Sequence, residues 1–257
     1  MANKAHARKS LIIAGMIFAM QAPGADAADV LFTDTFTSFQ LGTNWGVPNY
    51  LGTSASYFAC CEFLGAPNVL LKPVYGGLRM KSAQSTGQLT AIATTDTFRV
   101  NHGTVEVDFT TTAMSDPTIP LPADVTRTNI DGVIDVGLLN QVTGGATPVA
   151  QLFAGFFGTD RFLCARLYEP SFTQICTNGP ADWHYSTAYK IVITSKGDAT
   201  EISFQTAAGA VLYSYDVPFG LRDLGAFNVV LGQNMGTPGS AYYNDVIVQR
   251  VQVTRGD

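Results

Sequence analysis

The sequence predicts an all-β protein, and three observations carry that reading. Beyond the first 27 residues no stretch sustains a 3.6-residue apolar period. Many short runs rich in Val, Ile, Thr, Phe and Tyr are set apart by Gly, Pro, Asn and Asp, and the clearest of them alternate apolar with polar side chains. About a dozen such runs with turn residues between them describe a β-sandwich or barrel. Nothing helical separates the strands, which disfavours a parallel α/β fold.

An export leader is expected over the first 27 residues. Lys4, Arg8 and Lys9 precede the apolar run LIIAGMIFAM, too short to span a bilayer, and Ala25, Asp26 and Ala27 supply the small residues that signal peptidase prefers. Cleavage is expected near Ala27, leaving residues 28–257 as one β-sandwich domain, secreted or periplasmic. No later run is long and apolar enough for a transmembrane segment. Lys4, Arg8, Lys9 and Asp26 leave with the leader, and the formal net charge moves from −5 to −7. That balance argues against nucleic acid and anionic membrane as partners, since both need a basic patch.

The expected strands follow in order. DVLFTDTF (29–36), GGLRMKS (76–82) and QLTAIATT (88–95) come first. In GTVEVDFTTT (103–112), Val105, Val107 and Phe109 share one face and Glu106 and Asp108 the other. SDPTIPLPADVTRTN (115–129) has three prolines and the length of a loop over a binding cleft. GVIDVGLLNQ, AQLFAGFFG and RFLCARLY lead to AYKIVITSK (188–196), where Tyr189, Ile191 and Ile193 oppose Lys190, Val192 and Thr194. TEISFQTA, AVLYSYDV and FNVVLGQN precede the closing run DVIVQRVQV, which is apolar on both faces over part of its length and is expected to be covered on both sides.

Four cysteines in an oxidising compartment predict disulfides. Cys164 and Cys176 flank a turn at Glu169–Pro170–Ser171, and antiparallel pairing there would bring them within bridging reach, closing a loop worth about 3 kcal/mol. Cys60 and Cys61 are adjacent, and their pairing stays open, as do all three connectivities. No Cys-x-x-Cys or His cluster supports a thiolate or imidazole metal site.

Taken in order, LFTDTF…LGTNWGV, GGLRMKS, TTDTFRVNHGTVEVDFTTT, DWHYSTAYKIVIT with ATEISFQTAAGAVL, and AYYNDVIVQRVQV resemble the concanavalin-A-like lectin/glucanase superfamily. That superfamily takes in laminin-G-like modules, legume lectins and family-16 glycoside hydrolases. The resemblance covers nearly all of residues 28–257 and rests on the order of the pieces. It implies a two-sheet antiparallel jelly-roll β-sandwich, one sheet convex and one concave, with the concave face as the usual sugar-binding surface.

The stretch NIDGVIDVGLLN (129–140) falls where hydrolases of this superfamily carry Glu-x-Asp-x-x-Glu or Glu-x-Asp-x-Glu. Setting Asp135 on the middle Asp puts Val133 in place of the nucleophile and Gly137 or Leu138 in place of the acid. Both glutamates are missing. Read as one strand, the stretch puts Asp131, Val133 and Asp135 on the cleft side and Ile134, Val136 and Leu138 toward the core. Asp131 and Asp135 would then stand about 13 Å apart at Cα. A retaining pair needs carboxyls about 5–5.5 Å apart and an inverting pair roughly 6.5–9.5 Å, so catalysis by these two would need a bulge or an intervening water.

Glu106 and Asp108 form a second candidate acid/base pair, on a strand expected near the 131–135 strand; the plainer reading is the solvated half of an alternating strand. If the chain is an enzyme, a glycoside hydrolase or a polysaccharide lyase, the candidates are Glu106, Asp108, Asp131 and Asp135. His184 and Tyr185 would serve a lyase, but the Arg-rich and Gln-x-His segments of such lyases are absent, as is a Gly-x-Ser-x-Gly elbow. The resemblance further implies a structural Ca²⁺ held by Asp34, the Gly77 carbonyl and Asp245, oxygen donors that suit this hard cation. For a glycan ligand, aromatic faces and polar groups point to Asp131, Asp135, Trp183, Tyr185 and Asn140, with Trp45 expected in the core. The expected function is an exported, non-catalytic carbohydrate-binding protein; the alternatives are a polysaccharide-degrading enzyme of the same fold and a protein-contact or adhesive module.

Overall fold

The alternating runs pack as two sheets face to face. The computed structural model describes residues 28–40, 42–46, 70–83, 91–111, 130–131, 134–140, 148–157, 160–167, 173–178, 186–217, 220–232 and 243–256. Residues 1–27, Cys60 and Cys61 lie outside the described residues. In chain order the strands are β1 (Asp29–Asp34), β2 (Trp45–Gly46), β3 (Leu70–Val74), β4 (Gly77–Ala83), β5 (Ala91–Thr94), β6 (His102–Thr111), β7 (Ile130–Asp131) and β8 (Ile134–Asn140). Then come β9 (Pro148–Phe157), β10 (Asp160–Leu167), β11 (Thr173–Asn178), β12 (Ala188–Lys196), β13 (Thr200–Thr206), β14 (Val211–Val217), β15 (Phe227–Gly232) and β16 (Tyr243–Gly256). The only described helix is a 3-10 turn at Leu221–Leu224, whose two leucines are buried. No helix among the described residues is long and apolar enough to cross a membrane.

One sheet, sheet A, runs β14-β13-β12-β6-β16-β4-β3, with β1 and β7 also on β16; the other, sheet B, runs β11-β10-β9-β8-β15-β5-β2. All pairings are antiparallel except β7 with β16. Val105, Val107 and Phe109 from β6, Tyr189, Ile191 and Ile193 from β12, and Ile202 and Phe204 from β13 meet Ile134, Val136, Leu138, Phe227, Val229 and Leu231 of sheet B in one buried core. Each large side chain removed from water there contributes about 1.5–3 kcal/mol. The alternation read in β6 and β12 is therefore the alternation of the core.

The closing strand departs from expectation in an instructive way. Val246 and Val248 face the core, and so do Val251 and Val253, which an uninterrupted strand would put on opposite faces. A register shift between Val248 and Arg250, against β6, supplies the extra residue that changes parity. What reads as a strand covered on both sides is a one-sided strand with a bulge in it; Gln249, Arg250 and Gln252 are only part-buried.

Two glycines let neighbours approach this strand. Gly77 has φ 153° and Gly103 φ 142°, and a Cβ on either would lie 2.1 Å from a β16 carbonyl, that of Val248 or of Thr254. β4 and β6 thus reach β16 from opposite sides, each through a glycine.

The first strand ends in a polar hub. Asp34 Oδ1 accepts the Phe36 backbone N–H at 2.6 Å, an Asx turn that holds Phe36 at φ 58°, and Oδ2 accepts the Trp45 indole N–H at 2.8 Å and Asn44 Nδ2 at 3.3 Å. Trp45 is core, as expected, with Phe32 and Phe36 against its ring at 5.8 and 5.5 Å.

Candidate functional site

The stretch 129–140 is two strands in two sheets. β7 pairs with β16 in sheet A, and β8 lies between β9 and β15 in sheet B. Asp131 stands opposite Asn244, whereas Asp135 stands opposite Gly232 and Phe153. The expected shared cleft face of Asp131, Val133 and Asp135 is corrected accordingly: the chain changes sheets between positions 131 and 134, and no common strand sets these aspartates side by side. Asn140 ends β8 opposite the core residue Phe227, on the alternation set of Ile134, Val136 and Leu138 rather than that of Asp135. Val133, Trp183, Tyr185 and His184 lie outside the described residues.

Glu106 and Asp108 do stand together, but away from β8. Their strand β6 lies between β12 and β16 in sheet A. Asp131 is in the same sheet, yet its β16 partner Asn244 is six residues from Arg250, the partner of Asp108, about 20 Å along the strand. On the outer face Lys190 Nζ lies 3.0 Å from Glu106 Oε1 and 3.9 Å from Asp108 Oδ1. Arg250 Nε donates to Asp108 Oδ2 at 2.8 Å, its Nη2 to Glu106 Oε1, and its Nη1 to Gln252 Oε1 at 2.6 Å. Asp108 Oδ1 is buried and accepts no hydrogen bond; the Lys190 ammonium is its electrostatic counterpart. The hydrogen bond from Arg250 to Asp108 makes the guanidinium hold its proton more tightly still. Both carboxylates are spent on two cations that tie β12, β6 and β16 together, an ion-pair network rather than an acid and base awaiting substrate. Asp108→Ala is expected to lower stability by about 1–2 kcal/mol, read by thermal unfolding, with no change in ligand retention.

The three residues expected to bind calcium are not brought to one point. Asp34 pairs with Val251 and Asp245 with Lys81, and both partners of this comparison lie along β16, six residues or about 20 Å apart. Gly77 sits between them against Val248. With both Asp34 oxygens already accepting from Phe36, Asn44 and Trp45, this set does not fit a single ion.

Sheet B offers a different surface. Core residues alternate along β8 and β15, so Gly137, Asn228 and Val230 belong to the outer face, and β5 adds Ala93. Val230 and Ala93 are 2% and 7% exposed and Gly137 is buried, so this part of the outer side is covered rather than open. Asn228, 1% exposed, donates from Nδ2 to the carbonyls of Thr94 at 2.7 Å and Asp96 at 3.0 Å. Its Oδ1 is buried with no donor among the described residues. Val230 and Gly137 continue in register to Gln151, Arg166 and Gln174 on β9, β10 and β11. In the next row Asp135 is followed by Phe153, Cys164 and Cys176, so the two cysteines stand directly opposite each other. Sequence reading named neither Asn228 nor the Gln151–Arg166–Gln174 row, although the register that pairs Cys164 with Cys176 already pairs Arg166 with Gln174.

This architecture has solved counterparts. The fold is a concanavalin-A-like jelly roll. The CBM2 module of the evolved Dit of Lactobacillus casei BL23 phage J-1 is similar over 88% of this chain and 95% of its own, with TM-score 0.61 and 10% identity. The laminarinase from Flavobacterium sp. UMI-01 is similar over 88% of this chain and all of its own, with TM-score 0.54 and 15% identity. SCLam, a non-specific endo-β-1,3(4)-glucanase of family GH16, covers 93% of this chain and 94% of its own, with TM-score 0.54 and 10% identity. No protein-family model matches the sequence, and no curated protein does. At these identities the jelly roll is shared in backbone course, and its side-chain chemistry must be read from this chain itself.

Proposed function

We propose that this jelly roll is an exported protein that binds a polysaccharide without cutting it. The observation that carries the reading is the dispersal of the four candidate carboxylates. Asp131 and Asp135 lie in different sheets, Glu106 and Asp108 are locked to Lys190 and Arg250, and the sequence around Asp135 has Val133, and Gly137 or Leu138, where the superfamily's hydrolases are expected to hold glutamates. The resemblance puts the sugar-binding surface on one of the two sheet faces, and on the outer side of sheet B the buried Asn228 Oδ1 has no donor among the described residues, which a bound water would satisfy. Solved jelly rolls of similar backbone include a module named CBM2 and a LamA variant in complex with laminaritriose and laminaritetraose, which supports a glycan as ligand. The leader ending near Ala27 carries the export part of the reading, and a Cys164–Cys176 disulfide across β10 and β11 would suit that compartment.

The test is incubation of the purified protein with a panel of soluble and insoluble polysaccharides, with and without calcium, scoring retention and product release in the same tubes. Retention with no new reducing ends and no unsaturated products is the expected result. Product release would replace the binding reading with a polysaccharide-degrading enzyme, and no retention at all would leave the protein-contact module.

A further inference from the structure

We infer that the free edge of β14 pairs antiparallel with the same edge of a second copy, so that sheet A runs on from one protomer into the next. Nothing in this depends on which ligand the protein binds. β14 ends the described order of sheet A, with β13 on one side and no described strand on the other. Such an edge presents unpaired N–H and C=O groups, and proteins blunt it with proline, lysine, a bulge or a short strand. The opposite side of sheet A is blunted in these ways: β3 carries Lys72 and Pro73, and β1 has a register shift between Val30 and Phe32. In β14 the register shift falls at Leu212, since Phe204 pairs with Tyr213 and Gln205 with Val211. Past that bulge Tyr213–Val217 pair without a break with Phe204 through Thr200, and this stretch holds no proline and no lysine.

The strand's own sequence names the occupant. YSYDV, turned end for end about Tyr215, sets Tyr215 opposite the partner's Tyr215, Tyr213 opposite the partner's Val217 and Ser214 opposite the partner's Asp216. Ser214 and Asp216 are exposed on the outer face, so the hydroxyl of each copy can donate to the carboxylate of the other. Within its own chain Asp216 faces Glu201, which supplies no donor and gives its charge to Lys196. On the core side Tyr213 and Tyr215 are half-buried beside Phe204 and Ile202, and the partner covers the ring surface that the edge leaves exposed. Neighbouring registers are worse. Centring on Asp216 sets two carboxylates face to face, and centring on Ser214 draws the bulge at Leu212 into the ladder. Five residues a side keep the contact at the small end of specific interfaces, below about 1,200 Å² in total, so the dimer forms reversibly with concentration.

Sedimentation velocity of the purified protein over a rising concentration series tests this. Expected is a reversible monomer–dimer boundary, with association about tenfold weaker for Ser214→Asp, which opposes like charges at both symmetric positions. The exchange variant, Ser214→Asp with Asp216→Ser, keeps the wild-type composition and charge and restores both hydroxyl–carboxylate pairs. It should recover wild-type association. Should either variant unfold, by circular dichroism, hydrogen exchange on the wild type decides the same point, because the amides of Tyr213–Val217 gain protection as concentration rises. A monomer at every concentration, a dimer indifferent to Ser214→Asp, an exchange variant that stays monomeric, or protection gained away from β14 overturns the inference.

Discussion

Gly77→Ala is expected to lower stability by about 4 kcal/mol or more, moving the melting temperature down by about 8–16 °C. Two costs add. The φ of 153° lies where L side chains are strained, and the new Cβ would sit 2.1 Å from the Val248 carbonyl oxygen and 2.9 Å from its carbon. These are backbone atoms of the central strand, so relief requires β4 and β16 to separate at the bulge. Gly76→Ala is the internal control. It has φ 85° with nothing within 4 Å of its Cβ, so it bears the conformational cost alone, about 1–2 kcal/mol. Gly103→Ala should behave like Gly77→Ala, since its Cβ would meet the Thr254 carbonyl at the same 2.1 Å. Thermal denaturation of the three variants decides the matter, and equal shifts for Gly76 and Gly77 would show that close approach to β16 plays no part.

Asp34→Ala should cost about 3 kcal/mol, or roughly 6–12 °C in melting temperature. The substitution strands the indole N–H of Trp45, which is 1% exposed, and removes the acceptor that holds Phe36 at φ 58°. An unsatisfied buried donor costs about 1–3 kcal/mol, and a left-handed aromatic residue without its Asx turn adds about 1 kcal/mol more. Asp34→Asn keeps one acceptor oxygen and should lose about half as much. A calorimetric scan with added calcium separates this account from the metal expectation. If calcium stabilised the wild type and not Asp34→Ala, Asp34 would be a cation ligand after all.

How much of this was legible in the sequence depends on what alternation can express. β6 and β12 declare their core faces because Val105, Val107 and Phe109, and Tyr189, Ile191 and Ile193, fall on one parity from end to end. β16 hides its bulge because an extra residue between Val248 and Val251 leaves a pattern indistinguishable, residue by residue, from a strand covered on both faces. The crossing between Asp131 and Ile134 is invisible for a related reason. NIDGVIDV reads as one run, with nothing in its pattern to say that Ile130–Asp131 and Ile134–Asn140 belong to different sheets. Asn228 lies in the expected strand FNVVLGQN, and its orphaned oxygen comes into view only once the carbonyls of Thr94 and Asp96 take its amide. Arg166 needed the pairing of three strands before its neighbours could be named.

The strand β16 carries a consequence for how the molecule is made. It follows every other strand in the chain, yet it is the seam on which β1, β4, β6 and β7 all meet, with Asp29 joined to Arg255. Until it is present, early strands that occupy the middle of sheet A have no common neighbour, and their edges stay open. Contacts spanning most of the chain make such folding slow. Sheet A therefore closes only after β16, which follows all the other described strands, has been made. The same delay leaves the unpaired edges of sheet A open to one another until β16 emerges, so early interruption of synthesis should favour aggregation over folding.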